Sequence, residues 1–450
     1  MTTRREFIKG SSFVVAGSFL NADRFQFLAK PSSVIVIGAG FAGLSAAQVL
    51  KKKKLKVTVL EARNRIGGRV YSFNIPDENL VIELGAEWVG KSHERLIEMC
   101  AQFGLELQNN QFESHLLYKG KYYGKGGWKY SDEWDKKWTN LLASYKKMTD
   151  VQKRELDKYD WWRYLVNNGC EGQDLDIREL LDSTDFGESI RHVSAFAALA
   201  EYAESSEKNE MDYKIKGGNG QLALKLAESV GMENILLNHG VTKVEQTATG
   251  VVVTCSNGKV FRADKLICTI PTFSLKKIQW LPGLPKEKVD AVNALQYARI
   301  NKHPVLFSER FWPEDMDMAT DLPAHYFYHA TKNQPGKKGI LISYTTGDKA
   351  AVTANQDDAY HQTIINQALQ PAFGNVESKM EKQWNYYWGA DDYSKGAYAL
   401  YRPGQWFTLR PILAKPFLNT YFAGEHLADW QGFMEGAINT GEEAAKMVAG

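Results

Sequence analysis

The chain has 450 residues, 44% hydrophobic and 24% charged, and its 55 basic against 53 acidic side chains leave a formal charge of +2. That is ordinary globular usage, sufficient for about three domain-sized units. It excludes a disordered chain, a collagen-like repeat and a small disulfide scaffold, and it offers no polyanion-binding surface, so nucleic acid is not an expected partner.

The first element in chain order is an address. Thr3-Arg4-Arg5-Glu6-Phe7-Ile8-Lys9 sets two adjacent arginines before a modest apolar stretch, Ser12 to Leu20, the layout of a twin-arginine export signal. Gly17 and Ser18 interrupt that stretch, so a spanning helix is not expected; a basic tail is the plainer alternative. Ala22 and Ala29 are candidate cleavage positions, neither within a clean small-x-small pattern. This route carries folded proteins, which suits one that loads a large cofactor first. It predicts the twin-arginine machinery as a partner and a periplasmic or secreted location.

Val34-Ile35-Val36-Ile37 reads as a buried parallel strand. It runs into Gly38-Ala39-Gly40-Phe41-Ala42-Gly43, a helical stretch from Leu44 to Leu50, and a second strand, Val57 to Leu60, ending on Glu61. In such a unit Gly38 permits the tight turn, Gly40 lets the backbone approach a pyrophosphate, and Gly43 lets the helix pack on the strand. The helix N-terminus offers free N–H groups to phosphate, and Glu61 can accept from both ribose hydroxyls of an adenosine. Strand, glycines, helix, strand and acid in that order predict a dinucleotide site.

A second glycine pair follows, Ala62-Arg63-Asn64-Arg65-Ile66-Gly67-Gly68-Arg69, for which a nicotinamide enzyme has no evident need. With Leu60-Glu61 before it, the segment resembles the flavin-dependent amine oxidase family, which includes monoamine, polyamine and L-amino-acid oxidases. The resemblance implies FAD, wrapped by this segment with Arg63 and Gly68, and with Arg69 at the pyrophosphate. Ile82-Glu83-Leu84-Gly85-Ala86-Glu87-Trp88-Val89-Gly90 resembles the stretch beside the isoalloxazine ring, making Glu87 and Trp88 cofactor candidates.

The likeness recurs. Lys216-Gly217-Gly218-Asn219-Gly220 resembles the family's return to the FAD domain, and Val241 opens a β-rich stretch through Val251-Val252-Val253 and Leu266 to Ile270, with a turn at Ser256-Asn257-Gly258. The resemblance implies adenine contact through the Val241 backbone; a plain strand valine is the alternative. Lys302, followed by Phe311-Trp312, resembles the family lysine that holds a water at flavin N5. His303-Pro304 directly after it predicts an edge strand or a bulge, because proline lacks a ladder donor. Trp384 to Tyr401 resembles the substrate-side segment, with Trp388 against the ring and Tyr398 as one wall of an aromatic cage. Ala397 stands where mammalian monoamine oxidases carry a flavin-linked cysteine, which implies non-covalent FAD. Tyr421-Phe422-Ala423-Gly424-Glu425-His426 and Trp430-Gln431-Gly432-Phe433-Met434 resemble the C-terminal signature. Glu425 would then lie near the ribityl-phosphate and Phe433 would be the second cage wall. Gly424 and Met434 would also touch the cofactor, the helix start offering N–H groups to the charge that develops on the pyrimidine edge.

The implied fold is mixed α/β, a Rossmann-like FAD domain (31–90, 214–285, 415–450) interleaved with a substrate domain of mixed sheet and helices (91–213, 286–414), after a signal or tail at 1–30. Residues 91–213 read as helical, and Trp134, Trp138, Trp161, Trp162 and Tyr164 read as its core rather than as cage residues. The implied reaction is hydride transfer from the carbon next to a neutral amine to flavin N5, with Lys302, Tyr398, Phe433 and Trp388 as catalytic candidates. The substrates are then a small-molecule amine and molecular oxygen, the product peroxide; a homodimer is allowed. No arginine accompanies Glu87, whose charge would attract an ammonium and repel a carboxylate, so an amine is favoured. An L-amino acid held by Arg402 or Arg191, a desaturase-like relative and a non-catalytic FAD protein remain open, as does pairing of Cys255 with Cys268. The four cysteines lack the paired spacing of a zinc site, and no metal is expected.

Overall fold

The computed structural model describes residues 31–450, so the twin-arginine segment lies outside the described residues. The strand Ser33–Ile37 is apolar on both faces because both are covered. It is the centre of a five-stranded parallel sheet in the order Thr420–Phe422, Lys265–Cys268, Ser33–Ile37, Lys56–Leu60, Ile235–Leu236. Val34 and Val36 point into a core shared with helices Phe41–Lys52, Gly220–Val230 and Met434–Ala449. Ile35 and Ile37 point the other way, onto Val244, Val251 and Val253 of a four-stranded sheet, Val241–Thr247, Gly250–Cys255, Val260–Ala263 and Gln279–Leu281. Alternating side chains of one strand thus bind three layers.

A second large sheet has eight strands. Its order is Met380–Gln383, Ile300–Phe307, Gly339–Thr346, Tyr326–His329, Met316–Thr320, Glu113–Tyr118, Lys121–Tyr123, with Tyr386–Tyr387 also pairing on Ile300–Phe307. One face carries Val305, Phe307, Phe327 and Leu341 and packs on Ile364, Ile365 and Leu369 of helix Asp358–Phe373. The other face turns toward the parallel sheet. Residues 91–213 do supply helices, among them Asp132–Tyr145, Gly172–Phe186 and Ala195–Glu204. They also supply Glu113–Tyr118 and Lys121–Tyr123 to the large sheet, which the helical reading of that stretch missed.

The proline expectation needs correcting too. Pro304 is neither on an edge strand nor in a bulge: Ile300–Phe307 pairs without interruption with Gly339–Thr346. The Pro304 carbonyl accepts from the Trp384 amide at 3.0 Å, so its missing N–H faces the same side. On that side Lys302 faces Tyr386 and Val305 faces Gln383 in one register, so a single ladder bond is missing, the one a residue with an N–H would give to the Trp384 carbonyl.

Among the described residues no helix is long and apolar enough to cross a membrane. Cys100, Cys170, Cys255 and Cys268 are buried free thiols, so Cys255 and Cys268 are not paired here.

Candidate active site

The turn after the first strand is set by backbone bonds: the Gly38 amide donates to the Leu60 carbonyl at 2.8 Å and the Gly67 amide to Ala39 at 2.9 Å. Glu61 is buried, one oxygen accepting from the Ala39 amide and the other from the Arg63 amide, each at 2.8 Å. The glycines have different reasons. A Cβ on Gly43 would lie 1.9 Å from the Gly38 carbonyl oxygen, so the helix can approach the strand only without a side chain. A Cβ on Gly40 would meet nothing nearer than 4.0 Å. No protein atom demands glycine there, and its open side leaves room for a ligand to approach the backbone.

Helices Phe41–Lys52 and Met434–Ala449 both begin without a side-chain cap hydrogen bond, at Gly40 and Phe433. Their first N–H groups are left for a ligand. Both starts border a cavity of about 1040 Å³. Every site residue expected from the sequence lines this cavity except Gly43, which stays behind the turn. Val241 lies on the wall at the first position of its strand. The chamber, two uncapped helix starts, the acid after the second strand and the open side of Gly40 fit a dinucleotide.

Two ion pairs tie distant segments across the cavity. Arg69 meets Glu425 at 2.6 Å, and the second Glu425 oxygen accepts from the Gly432 amide at 2.8 Å. Burial works against the Glu425 charge, but Arg69 and His426 outweigh it and hold the carboxylate below its ordinary range. Arg63 meets Asp391 at 2.5 Å and lies over the Tyr393 ring.

Lys302 is buried and donates to the carbonyls of Glu83 at 3.0 Å and Gly85 at 2.7 Å. Burial pulls its ammonium down, opposed by Glu87 and Glu83. Trp388 is buried, its indole N–H donating to the Leu84 carbonyl at 2.8 Å. The Tyr398 hydroxyl donates to the Asp185 carbonyl, and its ring lies against Gly432, where a Cβ would come within 2.8 Å of it. Phe433 follows Gly432 in the chain, and its ring packs on His93 and Trp430. The two expected cage walls come from distant segments of the chain and both line the cavity.

Three readings from the sequence change. Glu87 is not an open charge awaiting an ammonium: its side chain is fully buried, accepts from the Tyr328 hydroxyl at 2.9 Å, and has Lys214 and Lys302 each 3.6 Å away. Two lysines offset it, so it neither repels a carboxylate nor selects an amine. Arg402 and Arg191 do not line the cavity; Arg191 stacks on Trp162 at 3.8 Å. Trp138 is not simply core, for it lines the cavity beneath the Arg178 guanidinium at 3.6 Å.

Arg178, Asp182, Asp185, Asp317, Tyr326 and Tyr344 also line the cavity and were not found from the sequence. No motif marks them. The available signal for the last three is period-two alternation in strands Met316–Thr320, Tyr326–His329 and Gly339–Thr346, which puts them on the face of Lys302.

The pattern for flavin containing amine oxidoreductases matches residues 41–449. The chain belongs to that family. A pyridine nucleotide-disulphide oxidoreductase pattern also matches residues 3–78, which include the first strand, turn and helix. Among relatives, an L-amino-acid oxidase of Pseudechis australis is 29% identical over 94% of this chain and 88% of its own length. Amine oxidase [flavin-containing] B of Homo sapiens is 25% identical over 94% of this chain and 86% of its own. A solved structure of putrescine oxidase bound to putrescine superposes with a TM-score of 0.83 at 21% identity, covering 93% of this chain and 98% of that one. That last likeness speaks for the fold alone. Family and fold together establish a flavoprotein oxidoreductase of mixed α/β architecture whose cofactor is FAD.

Proposed function

We propose that the chain oxidises amines rather than L-amino acids, transferring hydride from the carbon next to a neutral amine nitrogen. One observation carries the choice of substrate. All three arginines in the cavity wall are committed to carboxylates: Arg63 to Asp391, Arg69 to Glu425, and Arg178 to Asp182 at 3.3 Å. The two lining lysines, Lys277 and Lys302, donate to backbone carbonyls. To hold a substrate carboxylate the buried Arg178 would have to give up Asp182, and breaking a buried pair is costly; Lys277 is exposed at the cavity rim.

FAD, when bound, supplies the hydride acceptor. Around it Glu61 would hold the ribose hydroxyls, Arg69 the pyrophosphate, and the Phe433–Met434 amides the pyrimidine edge. Tyr398 and Phe433 would flank the amine nitrogen, orient its lone pair and exclude water. Lys302 would hold a water near the reacting edge of the ring, where oxygen is consumed. Ala397 offers no sulfur, so the cofactor is held without a covalent bond at that position.

The test is turnover in air against separate panels of amines and L-amino acids, following peroxide and carbonyl product. Peroxide with an aldehyde from amines supports the proposal; peroxide with a keto acid, from amino acids alone, refutes it. We also propose export by the twin-arginine route. Replacing Arg4 and Arg5 by lysine should then strand the protein in the cytoplasm, and unchanged export would refute this.

A further inference from the structure

We infer that Glu87, braced from behind by Lys214, is the counter-ion that holds the Lys302 ammonium charged at the cavity wall, and that these two positioning residues set the pH range over which the protein reacts with oxygen. This rests on the reading of Lys302 above and deepens it by naming the residues that act through the lysine.

Four segments meet at one carboxylate. Glu87 follows the strand Val81–Glu83, Lys302 comes from Ile300–Phe307, Tyr328 from Tyr326–His329 and Lys214 from Tyr213–Ile215. The two lysines approach opposite oxygens. Lys302 Nζ lies 3.6 Å from Oε2 of Glu87, which also accepts from the Tyr328 hydroxyl at 2.9 Å. Lys214 Nζ lies 3.6 Å from Oε1, which has no hydrogen-bond partner among the described residues. All three charged side chains are buried.

Stability does not account for this arrangement. A buried ion pair seldom gains over apolar side chains of the same size, and a second ammonium at one carboxylate adds repulsion. The two lysines also differ in place. Lys214 donates to the Ala330 carbonyl at 2.9 Å and does not line the cavity. Lys302 does line it, and gives two of its three N–H groups to the Glu83 and Gly85 carbonyls. Dioxygen becomes hydrogen peroxide by taking two electrons from the bound flavin and two protons. Negative charge develops on oxygen as the electrons arrive, and a fixed cation at the wall stabilises it. A neutral Lys302 amine would not.

The groups around Lys302 decide its charge. Burial pulls the ammonium down, Glu87 opposes this most strongly and Glu83 next, while Lys214 works on the side of burial. Glu83 is the weaker support. Its carboxylate is spent on the Ser72 hydroxyl at 2.8 Å and the Asn219 amide at 2.7 Å, and burial pushes it up to about 7. The rings of Trp88, Tyr328 and Tyr344 also face Lys302, and Tyr386 lies opposite it on the other neighbouring strand. Burial raises the phenols of all three tyrosines, so they stay neutral. Removing the Glu87 charge therefore lowers the pH at which Lys302 loses its proton, and removing Lys214 raises it.

The experiment reduces the FAD-loaded protein with stoichiometric dithionite, so that no amine is needed, and follows reoxidation by oxygen in stopped flow from about pH 6 to about pH 10. It compares wild type, Glu87→Gln, Lys214→Met and Lys302→Met, each checked for FAD content. Wild type should slow as pH rises through one step, and Lys302→Met should lose that step. Glu87→Gln should move the midpoint down by at least about one pH unit, tenfold in the protonation equilibrium. Lys214→Met should move it up by a smaller amount. A wild-type profile without a step, an unmoved midpoint in either variant, or movement of both in one direction would overturn the inference. If Glu87→Gln fails to bind FAD, the upward movement in Lys214→Met alone decides. A step that survives in Lys302→Met defeats the reading of Lys302 and the inference with it. A step lost there but unmoved in the other two variants leaves Lys302 at the oxygen-consuming half and defeats only the inference.

Discussion

Arg69 and Glu425 stand 356 residues apart in the chain and 2.6 Å apart in the structure. One follows the second glycine pair; the other ends the strand Thr420–Phe422 segment and, through Gly432, fixes the turn into the last helix. The pair closes the N- and C-terminal segments around the cavity. Glu425→Gln would leave a half-buried guanidinium without its carboxylate, at about 2 kcal/mol. Urea unfolding of the apoprotein should show that loss, and FAD per chain should fall with it. Unchanged stability and FAD content would contradict a closing role.

The two glycines of the first turn should respond differently to one added methyl group. Gly43→Ala collides with the Gly38 carbonyl and should destabilise the fold itself. Gly40→Ala has room in the protein and an extended backbone that alanine accepts. Its apoprotein should unfold within about 1 kcal/mol of wild type, while FAD dissociation, read by fluorescence on dilution, weakens at least tenfold, or about 1.4 kcal/mol. Equal FAD affinity would mean that no ligand approaches Gly40.

Much of this was legible in the sequence, for a local reason. Gly38 to Glu61 is a contiguous strand, turn, helix and strand, so its geometry is carried by neighbours in the chain. Lys302, Trp388, Tyr398 and Glu425 were found by likeness of their segments, and the structure brings them to one cavity. What was illegible depends on contacts between unmarked segments. Glu87 loses its selectivity to Lys214, from the short strand Tyr213–Ile215, and to Lys302. Pro304 sits inside the sheet at the loss of one ladder bond, with its pairing to Gly339–Thr346 unbroken. Asp185, Asp317 and Arg178 acquire meaning only when a helix is laid over a sheet face.

Lys302 gives a third prediction. Lys302→Met strips the donor from the Glu83 and Gly85 carbonyls and one cation from Glu87. If the lysine serves the oxygen-consuming half of turnover, that half should slow at least about tenfold, in the range of a lost proton-handling group. Anaerobic reduction by amine should change less. Stopped-flow measurement of the two halves separates them, and equal rates with oxygen would remove Lys302 from the chemistry.

Glu83 supplies a pH test. Burial, with Glu87 adding to it, raises this carboxyl from 4.5 to about 7, against the opposing Asn219 amide and Ser72 hydroxyl. Between those values the folded protein holds a proton that the unfolded chain releases, so the raised pKa contributes stability below 4.5 that is lost as pH rises through about 7. Glu83→Gln mimics the protonated form at every pH. The Tm of the variant minus that of wild type should therefore grow from about pH 5 to about pH 8. A flat difference would refute the shift.

The most direct measurement of the central claim mixes the purified yellow protein, without oxygen, with amines and separately with L-amino acids, and follows the visible absorbance of the flavin. Bleaching by amines and not by amino acids is the predicted result, because every arginine on the cavity wall is already paired. Bleaching by amino acids and not by amines would contradict it, and would mean that Arg178 leaves Asp182 to bind the substrate.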